Sequence, residues 1–292
     1  MKIAIFGKTF SGEFKENLSL LFEKFREIQA EIIIYNKFYD FILENADIDL
    51  KTIKTFNRYS DIDKSIDLMI SMGGDGTFLE SITYIRSLGI PIIGINTGRL
   101  GFLANIARQE VVTAFEAILN KQFTLEQRSL IQLKSDQNLF GDFNCALNEV
   151  TVQKESNTMI SVHVYLNGDL LNSYWTDGLI VSTPTGSTAY SLSVGGPIAT
   201  PDCKNFIISP IASHNLTVRP VIVPSENEIK LRVEGRNKNF LITLDSRSIQ
   251  VDKEIEFTIK QADFFINMIK LEYNSFSTTL RNKLMWGLDK RN

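Results

Sequence analysis

The sequence is poor in the residues that build metal clusters and disulfide frameworks. It has only two cysteines, Cys145 and Cys203, which are far apart and form no Cys-x-x-Cys pair. A disulfide scaffold and a zinc ribbon are therefore excluded. The two histidines, His163 and His214, are too few for a histidine-based metal cluster. We therefore expect no metal site built from a dense set of protein ligands.

The sequence also lacks an excess of basic residues and a long apolar run. Its 31 lysines and arginines stand against 34 acidic residues, which argues against a protein that mainly binds nucleic acid phosphates. No stretch approaches the roughly 18 apolar residues that a membrane span needs. The apolar run at the N-terminus is too short for the core of a signal peptide. We expect a soluble, cytoplasmic protein that binds neither nucleic acid nor membranes.

The first 125 or so residues alternate between strand-like and helix-like patterns. The chain has 292 residues, which suggests two domains at about 150 residues each. Strands are predicted at residues 2–6, 32–35, 66–72 and 90–95, and helices at residues 14–28, 78–88 and 111–119. Strands that alternate with helices predict a parallel sheet covered on both faces. The N-terminal domain is therefore predicted to be α/β.

After about Leu125 the apolar residues alternate with period two, as in antiparallel strands. Alternation at residues 160–166 is followed by Asn167-Gly168, which is a type I′ hairpin signal. Further strands are predicted within residues 229–233, 240–244 and 255–259, and a last helix by the spacing of Phe276, Leu280, Leu284 and Leu288. We predict an α/β domain of residues 1–125 and 270–292, a β-rich domain of residues 126–269, and a last helix that packs on the first domain.

The strongest local signal is a glycine cluster, Gly73-Gly74-Asp75-Gly76-Thr77, between an apolar strand and a helix. Ligands of open α/β sheets bind at such places, and N–H groups at a helix start favour phosphate. We therefore predict that Gly73, Gly74, Gly76 and Thr77 bind phosphate. The carboxylate of Asp75 would repel phosphate unless it holds a metal or accepts a hydroxyl proton during phosphoryl transfer. The alternative is a glycine turn with Asp75 as a helix cap.

Two further segments are rich in polar and small residues. Residues 96–103 follow the next strand at the same edge of the sheet, which suggests one cleft between the two loops. Residues 176–197 crowd hydroxyl side chains around glycines, which suits the recognition of a polar ligand. Tyr190 offers a flat face for a base or a sugar. The alternative for each segment is an ordinary turn or polar loop.

Together with Asn148-Glu149 and Leu244-Asp245, these segments resemble the NAD kinases in order and spacing, over most of the chain. The resemblance implies an α/β domain joined to a β-sandwich-like domain with the dinucleotide between them, in a homotetramer or homodimer. The implied reaction transfers the terminal phosphate of ATP, or of polyphosphate, to the 2′-hydroxyl of the adenosine ribose of NAD. It would use Mg²⁺ or another divalent cation, held mainly by the nucleotide phosphates.

The resemblance also implies roles for single residues. Asp75 would accept the proton of the 2′-hydroxyl, with Gly76 beside it, and Asp177 would bind a ribose. The other residues implied to contact the dinucleotide are Asn148 and Glu149, then Thr188, Ala189, Tyr190 and Ser193 around the adenine, and Ala212 in a later loop.

Two alternatives stay open beside this hypothesis. Lipid and sugar kinases share a similar glycine–aspartate element, but a lipid kinase needs a large apolar acceptor groove, and residues 182–197 are too polar for one. A catalytically silent dinucleotide sensor would have no need of Asp75 among phosphates. Trp175 and Ser246 stand where many NAD kinases carry a basic residue and a glycine, which leaves the preference between NAD and NADH open.

Overall fold

The computed structural model describes residues 1–98, 100–155, 158–235, 239–252 and 256–285. The chain divides into two units. The first comprises Met1–Gln127 and Ile266–Asn292, and the second comprises Arg128–Phe265. Within the described ranges, no helix is both long enough and apolar enough to cross a membrane.

The helices and strands predicted from the hydrophobic pattern occur in the predicted order, with further elements between them. The helices are α1 (Lys15–Glu27), α2 (Asn36–Asn45), α3 (Asp75–Ile85), α4 (Val111–Leu119), α5 (Tyr190–Ser193) and α6 (Phe276–Leu284). The strands up to residue 154 are β1 (Lys2–Gly7), β2 (Glu31–Tyr35), β3 (Lys54–Phe56), β4 (Leu68–Met72), β5 (Ile92–Ile95), β6 (Phe123–Lys134), β7 (Cys145–Ala146) and β8 (Glu149–Lys154). The later strands are β9 (Ile160–Leu166), β10 (Asp169–Thr176), β11 (Gly178–Ser182), β12 (Asn205–Ile211), β13 (Val221–Pro224), β14 (Ile229–Gly235), β15 (Asn239–Leu244), β16 (Arg247–Asp252) and β17 (Phe257–Leu271). Short 3₁₀ turns occur at Gly12–Phe14, Tyr59–Asp61, Arg86–Leu88, Arg108–Glu110 and Thr185–Thr188.

The first unit is built on a parallel sheet. Its strands lie in the order β5-β4-β1-β2-β3, and the end of β17 pairs in parallel with β5 at Met268 and Ile92. Consecutive residues of β1, β4 and β5 are buried, as expected when both faces of a sheet are covered. Gly7 pairs with Met72, and Met72 pairs with Ile95. The carboxyl ends of β1, β4 and β5 therefore lie side by side, which confirms the predicted α/β class.

The second unit is an antiparallel β structure. One sheet has the order β13-β12-β11-β8-β15-β16, and a second path runs β10-β9-β14-β17. Valines, isoleucines, leucines and phenylalanines of both sheets form one buried core, including Val152, Val162, Phe206 and Phe240. Two sheets that share one core form a sandwich, as the resemblance implied. Asn167 and Gly168 both have positive φ, 52° and 94°, as a type I′ turn requires.

The last helix belongs to the first unit. Ser275 caps α6, because its hydroxyl accepts a hydrogen bond from the N–H of Thr278 at 3.1 Å. Lys283 donates to the carbonyl of Leu100 and lies 6.0 Å from the ring centre of Phe102. The prediction that this helix packs on the first domain is confirmed. Leu288, the last residue of the predicted pattern, lies outside the described residues.

Candidate functional site

The glycine cluster forms the start of α3 at the carboxyl edge of the parallel sheet. Gly74 is the N-cap and α3 begins at Asp75, three residues before the predicted start. The helix has 11 residues, so its N-terminus carries the partial positive charge that favours an anion. A Cβ atom on Gly74 or Gly76 would meet nothing within 4 Å, so a ligand can reach the backbone there. The four residues predicted to bind phosphate thus surround a helix start.

The carboxylate of Asp75 is bound by the backbone of the loop that follows β5. Its Oδ2 accepts the N–H of Phe102 at 2.9 Å. Its Oδ1 accepts the N–H groups of Leu103 at 3.0 Å and Ala104 at 2.9 Å. Asp75 is the first helical residue and does not cap its own helix. The structure therefore brings together the two loops that the sequence analysis placed in one cleft.

Gly101 allows this approach. A Cβ atom at position 101 would lie 2.5 Å from Cγ of Asp75, closer than real Cβ atoms come to any neighbour. The N–H of Gly101 donates to the carbonyl of Ala104 at 3.0 Å, which closes the loop around the carboxylate. Only glycine fits between the loop and Asp75 without moving one of them. Arg99, in the same loop, lies outside the described residues.

In the second unit, Asn148 and Glu149 lie at the start of β8, and each is only 7% exposed. The Glu149 Oε2 atom has no hydrogen-bond partner among the described residues. Burial, and secondarily the negative charge of Asp245, raise the pKa of Glu149 to about 8, while the N–H of Tyr190 acts in the opposite direction. At pH 7 this carboxyl is therefore mostly protonated.

Residues 176–197, the hydroxyl-rich segment, pack directly on Asn148. A Cβ atom on Gly186 would lie 2.8 Å from the Cα of Asn148. Thr183 donates its N–H to the carbonyl of Asn148 at 2.9 Å and its hydroxyl to that of Leu147 at 2.6 Å. The chain then turns through Thr188 and Ala189 into the one-turn helix α5, which contains Tyr190 and Ser193. Residues predicted from two distant motifs are thus neighbours.

Tyr190 and Asp177 are held by partners on β8. The hydroxyl of Tyr190, which is 36% exposed, accepts a hydrogen bond from Gln153 Nε2 at 2.8 Å. Asp177 forms an ion pair with Lys154 at 2.6 Å. Lys154 was not foreseen, because a single lysine at a strand end carries no motif.

Ala212 lies in the loop beside Asp177. The N–H of Asp177 donates to the carbonyl of Ile211, the residue before Ala212, at 3.0 Å. Ala212 itself has a φ of 47°, a left-handed conformation that is uncommon for a non-glycine residue. The predicted dinucleotide residues from Asn148 onward all lie in the second unit, whereas Asp75 and the glycine cluster lie in the first.

The arrangement of acidic residues bears on metal binding. In the part of the chain that the structure describes, no three or more histidine, cysteine, aspartate or glutamate side chains are grouped so as to hold a metal ion.

Comparison with known families matches both units. A family model described as the ATP-NAD kinase N-terminal domain matches residues 15–123. A second model, described as the ATP-NAD kinase C-terminal domain, matches residues 147–271. Together they cover the glycine cluster, the Asn148-Glu149 segment and the hydroxyl-rich segment.

The chain is also similar, over nearly its whole length, to NAD kinases and to an NADH kinase. An NAD kinase of Flavobacterium psychrophilum is 47% identical over 295 residues, with all of both chains covered. The fold is similar to that of yeast NADH kinase complexed with NADH, with a TM-score of 0.87 at 20% identity, over 98% of this chain and 88% of that one. It is also similar to an NAD kinase from Archaeoglobus fulgidus in complex with ATP, with a TM-score of 0.73 at 25% identity and 98% of each chain covered.

Proposed function

Because this chain belongs to the NAD kinase family and is a phosphotransferase, we propose that it transfers the terminal phosphate of ATP to the 2′-hydroxyl of the adenosine ribose of NAD. The product is NADP. The observation that carries this proposal is the position of Asp75, a proton acceptor that stands at an anion-favouring helix start. Phosphoryl transfer to an alcohol needs both groups close together.

Asp75 is the proposed proton acceptor, and its Oδ2 is the atom that takes the proton. A carboxylate has about four lone-pair sites. Among the described residues, Oδ1 accepts two N–H groups, whereas Oδ2 accepts one, from Phe102, which leaves Oδ2 with more acceptor capacity. The three N–H groups fix the carboxylate, so it need not reorient when the hydroxyl arrives. Gly73, Gly74, Gly76 and Thr77 bind phosphate oxygens at the start of α3.

The residues of the second unit bind the dinucleotide. Glu149 and Asp177 accept hydrogen bonds from ribose hydroxyls, which are donors, while ionised carboxylates only accept. Their proposed companions are Asn148, then Thr188, Ala189, Tyr190 and Ser193 around the adenine, and Ala212. Support comes from the packing of Gly186 on Asn148 and from the hydrogen bond between the Ile211 carbonyl and Asp177.

Mg²⁺ or another divalent cation is proposed to enter with ATP. The described residues form no cage for it, which fits a cation held through substrate phosphates. When bound, it neutralises the charge that develops on the phosphates. ATP is the proposed donor in preference to polyphosphate, because the 25% identical kinase from Archaeoglobus fulgidus is described in complex with ATP.

Further proposals concern assembly and location. A homotetramer or homodimer is proposed from the family resemblance. A cytoplasmic location is proposed because Cys203 is an exposed free thiol, as is usual in a reducing compartment.

A single assay tests the reaction. The purified protein is incubated with NAD, ATP and Mg²⁺, and NADP is measured with and without a chelator. Metal-dependent formation of NADP is the expected result, and NADH and polyphosphate are tested in parallel as acceptor and donor. Phosphorylation of a sugar or a lipid in place of NAD would overturn the proposal, and so would binding of NAD without turnover.

Removal of either carboxylate that is proposed to bind a ribose hydroxyl, Glu149 or Asp177, is expected to weaken NAD binding. Such contacts exist in both the ground state and the transition state, so Glu149→Ala and Asp177→Ala should mainly raise KM for NAD, by about tenfold each. The matched control is Glu155→Ala, an exposed acid whose carboxylate bonds Gln250, and it should leave KM unchanged. A shifted Mg²⁺ requirement with an unchanged KM would instead make these acids metal ligands.

The pH dependence of NAD binding follows from Glu149. With a pKa of about 8 in the free protein, Glu149 is mostly protonated at pH 7, and it accepts a ribose hydroxyl more strongly once it has lost its proton. Binding therefore releases a proton, and affinity for NAD should rise about tenfold between pH 7 and pH 9. Glu149→Gln should bind NAD with little pH dependence over this range. Titration calorimetry in two buffers measures the released proton, and affinity that falls with rising pH would contradict the assignment.

A further inference from the structure

Asp245, which the proposed reaction leaves without a role, lies in the two-residue turn between β15 and β16. The flanking residues Leu244 and Arg247 pair across the two strands. Asp245 has a φ of 53°, a left-handed conformation that two-residue hairpin turns use at their first central residue. Aspartate adopts it more readily than most residues with a Cβ atom. What distinguishes Asp245 is the set of contacts that its side chain makes.

The side chain of Asp245 binds three consecutive backbone N–H groups. Its Oδ2 accepts from Leu147 at 2.9 Å. Its Oδ1 accepts from Asn148 at 2.8 Å and from Glu149 at 3.3 Å. In return, the N–H of Asp245 donates to the carbonyl of Glu149 at 3.1 Å. All these contacts go to the segment that carries two of the proposed dinucleotide ligands.

Arg247, the first residue of β16, binds the backbone of the residues that precede Leu147. Its guanidinium donates to the carbonyls of Phe143 and Cys145. The turn thus binds the backbone of residues 143–149 through both N–H and carbonyl groups. Burial raises the pKa of Asp245, whereas the three N–H groups that it accepts and the positive charge of Arg247 act in the opposite direction and favour its ionised form.

We propose that Asp245 is a positioning residue for NAD binding, which holds the backbone at Leu147–Glu149 so that the Asn148 and Glu149 side chains face the dinucleotide. This proposal rests on the proposed function. Asp245 touches no reacting atom in it and acts through its two neighbours. Its negative charge also acts on Glu149, whose Oε2 has no partner among the described residues, so the two carboxyls are linked electrostatically as well as through the backbone.

Two substitutions of Asp245 test this role, one that removes the whole carboxylate and one that replaces a single oxygen. Asp245→Gly keeps a residue that adopts the left-handed turn freely and removes the carboxylate. KM for NAD should rise about tenfold, with KM for ATP unchanged and a smaller change in kcat. Asp245→Asn keeps Oδ1 for Asn148 and Glu149 but places an NH₂ group opposite the N–H of Leu147, so its KM should lie between those of the wild type and Asp245→Gly.

Asn167→Gly is the matched control for the turn. Asn167 is also a left-handed residue of a hairpin in the second unit, at φ 52°, and it contacts Asn227 and Glu228 rather than a proposed ligand. It should leave KM for NAD unchanged. An equal rise of KM in Asn167→Gly would overturn the proposal, because any weakened hairpin would then have the same effect.

Two measurements distinguish positioning from a general loss of structure. In a Glu149→Ala background, Asp245→Gly should raise KM less than in the wild type, because one of the two side chains that it positions is gone. The midpoint of the pH dependence of NAD binding should also fall below 8 in Asp245→Asn, because the negative charge facing Glu149 is removed. Among the described residues, the other group that acts on Glu149 is the N–H of Tyr190, which this variant leaves in place.

The outcomes are distinct. If Glu149→Ala and Asn148→Ala leave KM for NAD unchanged, the proposed ligand set fails. If those variants raise KM but Asp245→Gly does not, or if its effect multiplies fully with that of Glu149→Ala, the positioning role of Asp245 is wrong. If Asp245→Gly fails to fold, the KM of Asp245→Asn decides, and a KM for NAD equal to that of the wild type refutes the proposal.

Discussion

Asp75→Asn is expected to lower kcat by about 10²–10⁴, the usual contribution of a positioned general base. The amide cannot accept a proton, but it has nearly the same shape as the carboxylate. KM for NAD should change little, because the proton is transferred only in the transition state. Steady-state kinetics with saturating ATP and Mg²⁺ measure both constants.

The loop contacts of Asp75 make a control necessary. The asparagine oxygen can still accept from Leu103 and Ala104, but its NH₂ group would face the N–H of Phe102. Asp61→Asn is the matched control, because the Asp61 carboxylate also accepts two backbone N–H groups in the first unit, those of Asn57 and Arg58, each at 2.9 Å. It should keep full activity. Near-normal kcat in Asp75→Asn would place the base elsewhere.

Gly101→Ala is expected to lower kcat by about 10²-fold without removing a chemical group, since a misplacement near 1 Å at a reacting centre has effects of this size. The added methyl group would lie 2.5 Å from Cγ of Asp75, so the carboxylate or the loop must move. Because the base is still present, the loss should be smaller than that in Asp75→Asn.

Gly98→Ala is the comparison within the same loop. A Cβ atom at position 98 would meet nothing within 4 Å. Its kcat should therefore fall far less than that of Gly101→Ala, and thermal unfolding of both variants shows whether either loses stability. Equal activity of Gly101→Ala and the wild type would contradict this prediction. It would mean that the loop moves without loss of activity, and that its hydrogen bonds to Asp75 are not needed for the reaction.

The sequence predicts those elements whose side chains repeat with a clear period. The helix at Val111–Leu119 was predicted with the bounds that the structure has, because Val111, Ala114, Phe115 and Ile118 share one buried face. The helix Asn36–Asn45 was missed. It begins directly after β2 with no capping side chain, and it buries only Phe38 and Ile42. The strand Lys54–Phe56 was missed because it has three residues, of which only Phe56 is buried.

The candidate site could be predicted only as far as side chains mark it. Glycines, hydroxyls and carboxylates indicated the segments around Asp75, Asn148 and Tyr190. The N–H groups that hold Asp75 and Asp245 leave no trace in the sequence, because every residue except proline carries one. Gly101 was the single available signal of the close approach to Asp75, and its meaning depends on a neighbour 26 positions earlier in the chain.

The division of the first unit between the two ends of the chain has a consequence for its synthesis. Ile266–Leu271 of β17 and the helix α6 leave the ribosome after the whole of Arg128–Phe265. Until then, the edge of β5 at Ile92 lacks the partner that Met268 provides. Unpaired strand edges are sites of aggregation during folding. The nascent chain can therefore complete its second unit before its first, and the edge of β5 stays unpaired until Met268 has left the ribosome.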